Sequence, residues 1–471
     1  MTDDADDTVD RRTVLKTAGA TGVTTGLAGC SALFGGGEGT PTGDGGGDGG
    51  DGDGGDGGDG GTTEEGQIST DPIDAGLLSF TKGPAAVLGL QAVRGAEKAV
   101  EMINANGGIA GRRQVNLAVR DEGDNPLDKY QSFVDSGRQV TFGPISSGTH
   151  KQLAPQVESN EVVNVGTDGT VTTLYEETVS DPTYSFRFQN YDIMETTTAA
   201  LEAVDRIGAE NIDTVAGVNP NYAFGQDEMN LFVQAIQGLT GAEIVYSGFP
   251  DLLAGDYATH ISAINSESPD IVFSSLWGGD ASSFLEQATS RGMFENVQGV
   301  FGPVFYGSAD AIPEAVVTGP GQGKIFAGSR NYYWDFPSTG RWPPGRSLFE
   351  EASNQEGIKV PTAHYMSGFG AVMAWATAVE KAIDTLGSYP SQREIAHSLE
   401  EHGFSTPAGY HNVCMDHQAR SNSFAGRMAW DGDIGAPVLE DVNVFAATQV
   451  SPPPQGSQYA ASASDWLSGW V

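Results

Sequence analysis

The chain is short of cysteine, of basic charge and of long apolar runs. Only Cys30 and Cys414 occur in 471 residues, so no framework of disulfides can hold the fold together. Lysine and arginine number 24 against 62 acids, a net charge of −38. That deficit argues against nucleic acid and anionic membrane surfaces as partners, since each attracts positive charge. Beyond the N-terminal segment no stretch approaches the roughly 20 consecutive apolar residues that a membrane-spanning helix needs.

What is present is length, glycine and acid. At 471 residues the chain has room for two or three domains, and a hydrophobic share of 38% suffices for a sizeable core. Residues 1–66 carry 14 acids and three bases, which leaves 48 acids and 21 bases beyond them, a net of −27 in the body itself. Such a surface repels itself in dilute buffer. At molar salt the Debye length falls to about 3 Å and the repulsion fades. With lysine scarce throughout, the composition resembles that of a haloarchaeal protein.

The first thirty residues read as an address. "DRRTVLKTAGATGVTTGLAGC" pairs Arg11 with Arg12, continues with Val14, Leu15 and Lys16, and closes on Leu27, Ala28, Gly29 and Cys30. This resembles a twin-arginine export signal ending in a lipoprotein box. Its apolar run is too short and too rich in glycine and threonine to span a bilayer. The resemblance implies that Cys30 becomes the lipidated first residue of the mature chain, leaving Cys414 without an internal partner. Residues 31–67 follow with no hydrophobic pattern and are expected to form a disordered Gly/Asp tether. An EF-hand loop starting at Asp51 fails at Gly55 and Thr62, so the aspartates do not spell a calcium loop. Everything beyond is expected outside the cell, held to its membrane by the lipid.

From residue 72 short apolar runs alternate with helical stretches. "IDAGLLSF", "RQVNLAVRD", "VTFG" and "VVNVG" read as strands, with helices over "AVRGAEKAVEMINANGG" and "PLDKYQSFVDSG". The alternation restarts with a helix at 192–208, then "TVAGV", a helix at 224–240, "EIVYSGF", a helix at 256–266, "DIVFSSLW", a helix at 280–292 and "GVFGP". This pattern predicts parallel sheets with crossover helices, and two such series predict two α/β lobes. Ligands of such sheets bind beyond the carboxyl ends of the strands. The loops to read there are Ser79-Phe80, Gly143 to Thr149, Gly166 to Gly169, Asn219 to Phe224, Leu276 to Asp280 and Gly302 to Tyr306. Hydroxyls, glycine and aromatics dominate them, which suits gripping a small molecule between two lobes.

Ser146 and His150 raise a catalytic reading, which the spacing does not support. A nucleophile elbow needs G-x-S-x-G, and Pro144 stands where the first glycine should be. A shared helix would also put His150 beside the chain and not over an exposed serine. The stretch reads instead as a ligand loop entering a helix near Gly148. The first amides of that helix lack intrahelical partners, its dipole favours an anion, and Ser146, Ser147 and Thr149 add hydroxyls. Ser147 simply capping the helix is an equal alternative. "TGPGQGKIF" fails as a phosphate loop at Thr318 and Ile325. Cys414 and His417 form a lone pair without the second pair a metal site needs, and His417 reads as a structural residue at a turn. No catalytic residue, cofactor or metal site is expected.

Taken together, "AVRGAEKAVEMINANGGIAGRRQVNLAVRDEGDNP", "GPISSGTHKQLAPQVESNEVVNVGTDGT", "SFRFQNYD", "NYAFGQD", "LWGGDASSFLEQATSRG" and "FGP" resemble, in order and spacing, the leucine/isoleucine/valine-binding family (family 4) of ABC-transporter solute-binding proteins. The resemblance runs from about residue 72 to 435. It implies a periplasmic-binding-protein type 1 fold: two Rossmann-like α/β lobes joined by a hinge of three crossings, with solute held in the cleft. It divides the chain into lobe 1 (68–190 plus 328–410), lobe 2 (191–327 plus 411–450) and a C-terminal tail (451–471). It implies that Ser146 and Ser147 hold the solute's carboxylate, that Thr167, Asp168 and Gly169 touch it from the next strand end, and that Tyr222 and Trp277 cover it; Thr149 and Phe305, on strand-end loops of the same rim, are expected contacts beside them. Members with amino-acid ligands carry an acid after Gly-Pro for the ammonium; here Val304 stands in that place, so ammonium recognition would fall to Asp168 or Asp280, or be absent. The expected activity is capture of a small carboxylate-bearing solute, with a membrane permease and ATPase as partners. A sensor that feeds a chemoreceptor is the alternative.

Overall fold

The computed structural model describes residues 68–336, 350–453 and 463–469. The export signal, Cys30 and the tether lie outside the described residues. The chain separates into residues 1–62 and a larger unit, 63–471, which holds all the elements that follow.

The first sheet is wholly parallel, in the order β2-β1-β3-β4-β5. Its strands are β1 (Ile73–Ser79), β2 (Val115–Asp121), β3 (Val140–Phe142), β4 (Asn164–Gly166) and β5 (Ser185–Arg187). A parallel strand covered on each face must be apolar on each face, and β1 is buried along nearly its whole length. Between the strands run α1 (Ala86–Ala105), α2 (Pro126–Asp135) and α3 (Ser147–Asn160). Helix α1 begins six residues ahead of the predicted stretch. No acidic or capping side chain marks its start, so the sequence carried no entry signal.

The second sheet has seven strands, β15-β14-β10-β9-β8-β6-β7. Strands β6 (Thr214–Val218), β7 (Glu243–Gly248), β8 (Ile271–Phe273), β9 (Gly299–Gly302) and β10 (Ile325–Gly328) are parallel. Their crossovers include α4 (Asp192–Ile207), which precedes β6, then α5 (Ala223–Thr240), α6 (Ala258–Glu267) and α7 (Gly279–Ser290). The predicted strand "DIVFSSLW" pairs only over Ile271–Phe273. Beyond it the Ser274 hydroxyl donates to Val218 O and Ser275 N to Asn219 Oδ1, each at 2.8 Å.

The chain returns to the first lobe as α8 (Ala363–Leu386), which packs along α1, followed by α9 (Gln392–Leu399). A small antiparallel sheet follows: β11 (His402–Thr406), β12 (Gly409–Val413) and β13 (Ala419–Arg420). A bridge from Gln418 reaches Arg187 of the first sheet. The expected return to lobe 2 at residue 411 therefore needs correction. Pairing with the second sheet starts at β14 (Ser423–Asp431), which forms a hairpin with β15 (Ala436–Phe445). The expected tail also docks in part: Leu467, in α10 (Ala463–Ser468), is buried in the second lobe's core.

Three crossings join the lobes, and hydrogen bonds tie them together. Asn190 of the first meets Ser421 and Ser423 of the third at 3.0 and 2.9 Å. Ser329 and Arg330 of the second pair through backbone with Phe424, each at 2.8 Å. Among the described residues no helix is long and apolar enough to cross a membrane.

Candidate functional site

The carboxyl ends of the two sheets face each other across a cleft, and in this structure the cleft is shut. Gly279 N donates to Pro84 O at 3.2 Å, Gln91 reaches Asp310 at 3.0 Å, and the Phe80 and Trp277 rings lie 6.4 Å apart. The close approach depends on glycine: a Cβ on Gly278, whose φ is +60°, would sit 2.9 Å from Pro84 O. Between the lobes remains a cavity of about 20 Å³, room for about one water. Solute entry therefore requires the lobes to part.

From the first lobe, Leu88, Ile145, Ser147, Asp168 and Thr170 line this cavity. From the second come Tyr222, Phe224, Trp277 and Val304, and from the second crossing Arg330. Tyr222 stands just ahead of α5, and Trp277 follows β8; the Trp277 indole donates to the Tyr222 hydroxyl at 3.1 Å. Arg330 follows β10 with a left-handed φ of +46°, a conformation that costs a non-glycine residue roughly 1–2 kcal/mol. Its guanidinium is held by acids on two sides. Arg330 Nη1 lies 2.8 Å from Asp168 Oδ2, and Nε lies 3.0 Å from Glu195 Oε1. His364 Nε2 also lies 2.8 Å from Asp168 Oδ2. Burial alone would raise the Asp168 carboxyl, but Arg330 and His364 hold it below its ordinary value.

The serine loop is built differently from expectation. Glu122, just past β2 and fully buried, accepts from Ile145 N at 2.7 Å and Ser146 N at 2.9 Å, with the Thr149 hydroxyl beside the same carboxylate. Burial pushes Glu122 up to about 7 against the pull of those donors. An internal carboxylate thus occupies donors expected to serve the solute. The Ser146 side chain caps α3, accepting from Thr149 N at 3.4 Å. Thr167 donates to Pro144 O, and Gly169 N to Ile145 O. Phe305 turns into the core against Gly302. Ser146, Thr149, Thr167, Gly169 and Phe305 therefore stand outside the cavity lining, whereas Ser147, Asp168, Tyr222 and Trp277 stand within it. Asp280 also lies outside, accepting from Leu253 N at 2.6 Å.

The catalytic pairing does not form. His150 is fully buried, its Nδ1 is 3.3 Å from Gly169 O, and among the described residues its Nε2 has no partner. Burial, with Arg187 nearby, pushes it down to about 3. His417 is a turn residue, stacked 3.9 Å from Phe186 with Nδ1 2.9 Å from Ser185 O. Lys324, the lysine of the false phosphate loop, donates to Val297 O at 2.9 Å.

Arg330 and Glu122 escaped the sequence reading although Glu122 directly follows β2 and Arg330 stands two residues past β10. Extending the strand-end rule to β2 and β10 would have found them. Thr170 lies one residue beyond a loop that was read. Leu88, Ile145 and Phe224 carried no such signal, because apolar residues near helix starts look like core.

Residues 72–433 match the periplasmic binding protein family, and the chain belongs to it. A Leu/Ile/Val-binding protein of Rhizobium johnstonii is 26% identical over 206 residues, which span 43% of this chain and 53% of that one. The leucine-specific-binding protein of Salmonella typhimurium is 23% identical over 322 residues, 66% of this chain and 80% of its own. Among solved structures, an ABC-transporter solute-binding protein of R. palustris in complex with benzoate superposes with a TM-score of 0.67 at 17% identity, covering 80% of this chain and 97% of that one. A leucine-binding protein of Thermotoga maritima gives 0.62 at 16% identity, covering 79% and 98%. At these identities the structural matches establish the two-lobed fold.

Proposed function

We propose that the protein is the solute receptor of an ABC importer, lipid-anchored through Cys30 on the outer face of the cell membrane, and that it captures a small carboxylate-bearing solute by closing its lobes. A permease and ATPase in that membrane receive the closed form. The observation that carries this reading is the lining of the cavity: among the described residues its one acid, Asp168, is committed to Arg330 and His364, its one base is Arg330, and the rest is hydroxyl, aromatic and aliphatic. The residue after Gly302-Pro303 is Val304.

An aliphatic amino acid would bury its ammonium unpaired, which costs several kcal/mol. An aromatic carboxylate needs only Arg330, Ser147 and the walls of Tyr222, Phe224 and Trp277. Structural relatives from R. palustris were solved with benzoate and with 4-hydroxybenzoate, which supports that class. Contacts from two lobes form together only on closure, and that difference shifts the population toward the closed state.

Titration calorimetry at high salt with benzoate and leucine tests the selectivity. Benzoate should bind more tightly; leucine binding tighter than benzoate would overturn it. For the anchor, Cys30→Ser should move the protein out of the membrane fraction, and an unchanged fraction would refute lipidation.

A further inference from the structure

Behind the cavity wall three carboxylates face one another. Asp192 and Glu195 lie one turn apart at the start of α4, and Glu228 approaches from α5. All three are buried, and one oxygen of each lies within 4.8 Å of the other two. Among the described residues only Glu195 has a cation in contact, Arg330. Neither oxygen of Asp192 and neither oxygen of Glu228 has a hydrogen-bond partner among the described residues. A separate group points the same way. The Thr170 hydroxyl, on the first lobe and 1% exposed, lies beside the Asp192 carboxylate without a well-formed hydrogen bond of its own, and Asp192 N donates to Thr170 O at 3.1 Å.

Buried charges without partners cost several kcal/mol each, and here two carboxylates and a hydroxyl converge with their lone pairs unused. We propose that Asp192, Glu195 and Glu228, with the Thr170 hydroxyl, form a binding site for a hard divalent cation of calcium's size. All donors are oxygen, which selects hard ions over soft ones. Calcium takes oxygen at about 2.3–2.6 Å, so opposed ligands lie up to about 5 Å apart, and the present spacing accommodates it. Magnesium, at about 2.0–2.1 Å, demands a tighter and near-ideal octahedral arrangement. The site joins α4, which opens right after the first crossing, to α5 and to Thr170 of the other lobe. An ion there holds the crossing in its closed arrangement, independently of which solute fills the cavity.

The test uses the full chain, stripped with a chelator at high salt and titrated with calcium chloride, with magnesium chloride in a parallel arm. The expected result is one saturable calcium site per chain and a rise in melting temperature that magnesium reproduces less well. Glu228→Gln should weaken that site by at least the roughly 10- to 100-fold that losing a supporting partner costs a metal site. Asp192→Asn is the second variant should Glu228→Gln fail to fold. An acidic surface also gathers calcium weakly, so only the difference between wild type and variant counts. Equal calcium response in wild type and folded variants would overturn the proposal. So would a wild-type melting temperature indifferent to calcium, with stability that falls as pH rises; that outcome means the cluster holds protons in place of an ion.

Discussion

The two walls of the cleft are built on opposite plans. The first lobe presents polar groups that are largely committed: Glu122 holds the amides of Ile145 and Ser146, and Asp168 is fixed by Arg330 and His364. The second lobe presents Tyr222, Phe224, Trp277 and Val304, with one hydrogen bond between Trp277 and Tyr222. One wall is therefore a pre-set electrostatic frame, and the other supplies apolar area that is desolvated only on closure. Orientation and charge preference should come from the first, and most of the affinity from the second.

The sharpest way to break this division is at Arg330, which belongs to the frame. Arg330→Ala leaves Asp168 and Glu195 buried without their cation, and loss of one partner from a buried pair costs about 3–5 kcal/mol. Urea denaturation at constant salt should show a loss of that size. A loss within the roughly 1 kcal/mol of a surface ion pair would mean the pair is solvated in the free protein.

Next in size is Trp277→Ala, on the apolar wall. Benzoate binding should weaken by about 2–4 kcal/mol, read by calorimetry, while unfolding changes less than for Arg330→Ala. If stability fell and affinity did not, Trp277 would be a core residue and not a solute contact.

Glu122 tests the frame through pH. Its folded value, about 7, lies above its ordinary 4.5. The stability linked to its proton is complete below about pH 4.5 and is lost as pH rises through about 7. Asp168 is the neighbouring acid, and Thr149 with the two amides are the groups around it. Comparing wild type with Glu122→Gln by thermal denaturation should give a difference that grows across this window to at most about 3 kcal/mol. A constant difference from pH 4 to 8 would show that Glu122 titrates in the folded protein as it does in the unfolded chain.

The smallest effect is expected at Ser146. As a helix cap outside the cavity, Ser146→Ala should cost about 0.5–2 kcal/mol of stability and leave benzoate affinity unchanged. An affinity loss without a stability loss would return Ser146 to the cavity.

The architecture was legible because burial on each face writes itself as short apolar runs. "IDAGLLS", "VTF", "NVG" and "TVAGV" became strands of parallel sheets where the pattern put them. The cleft was legible only in part. Ser147, Asp168, Tyr222 and Trp277 line it, since strand ends point to one rim. Ser146, Thr149, Thr167 and Gly169 share those loops but spend their polar groups on neighbours. Residue type and spacing do not say which.

Taken alone, the sequence determined the alternation of elements, the two lobes, the acidic surface and the rim where a ligand belongs. All of these follow from local periodicity and composition. The tertiary structure alone decided that Glu122, 24 residues from Ser146, takes the loop's amides. It also decided that Arg330, 162 positions beyond Asp168, neutralises it, and that Asp192, Glu195 and Glu228 meet in one buried cluster. Pairings of this kind depend on how crossovers bring strand ends together in space, and no local pattern in the chain encodes that distance.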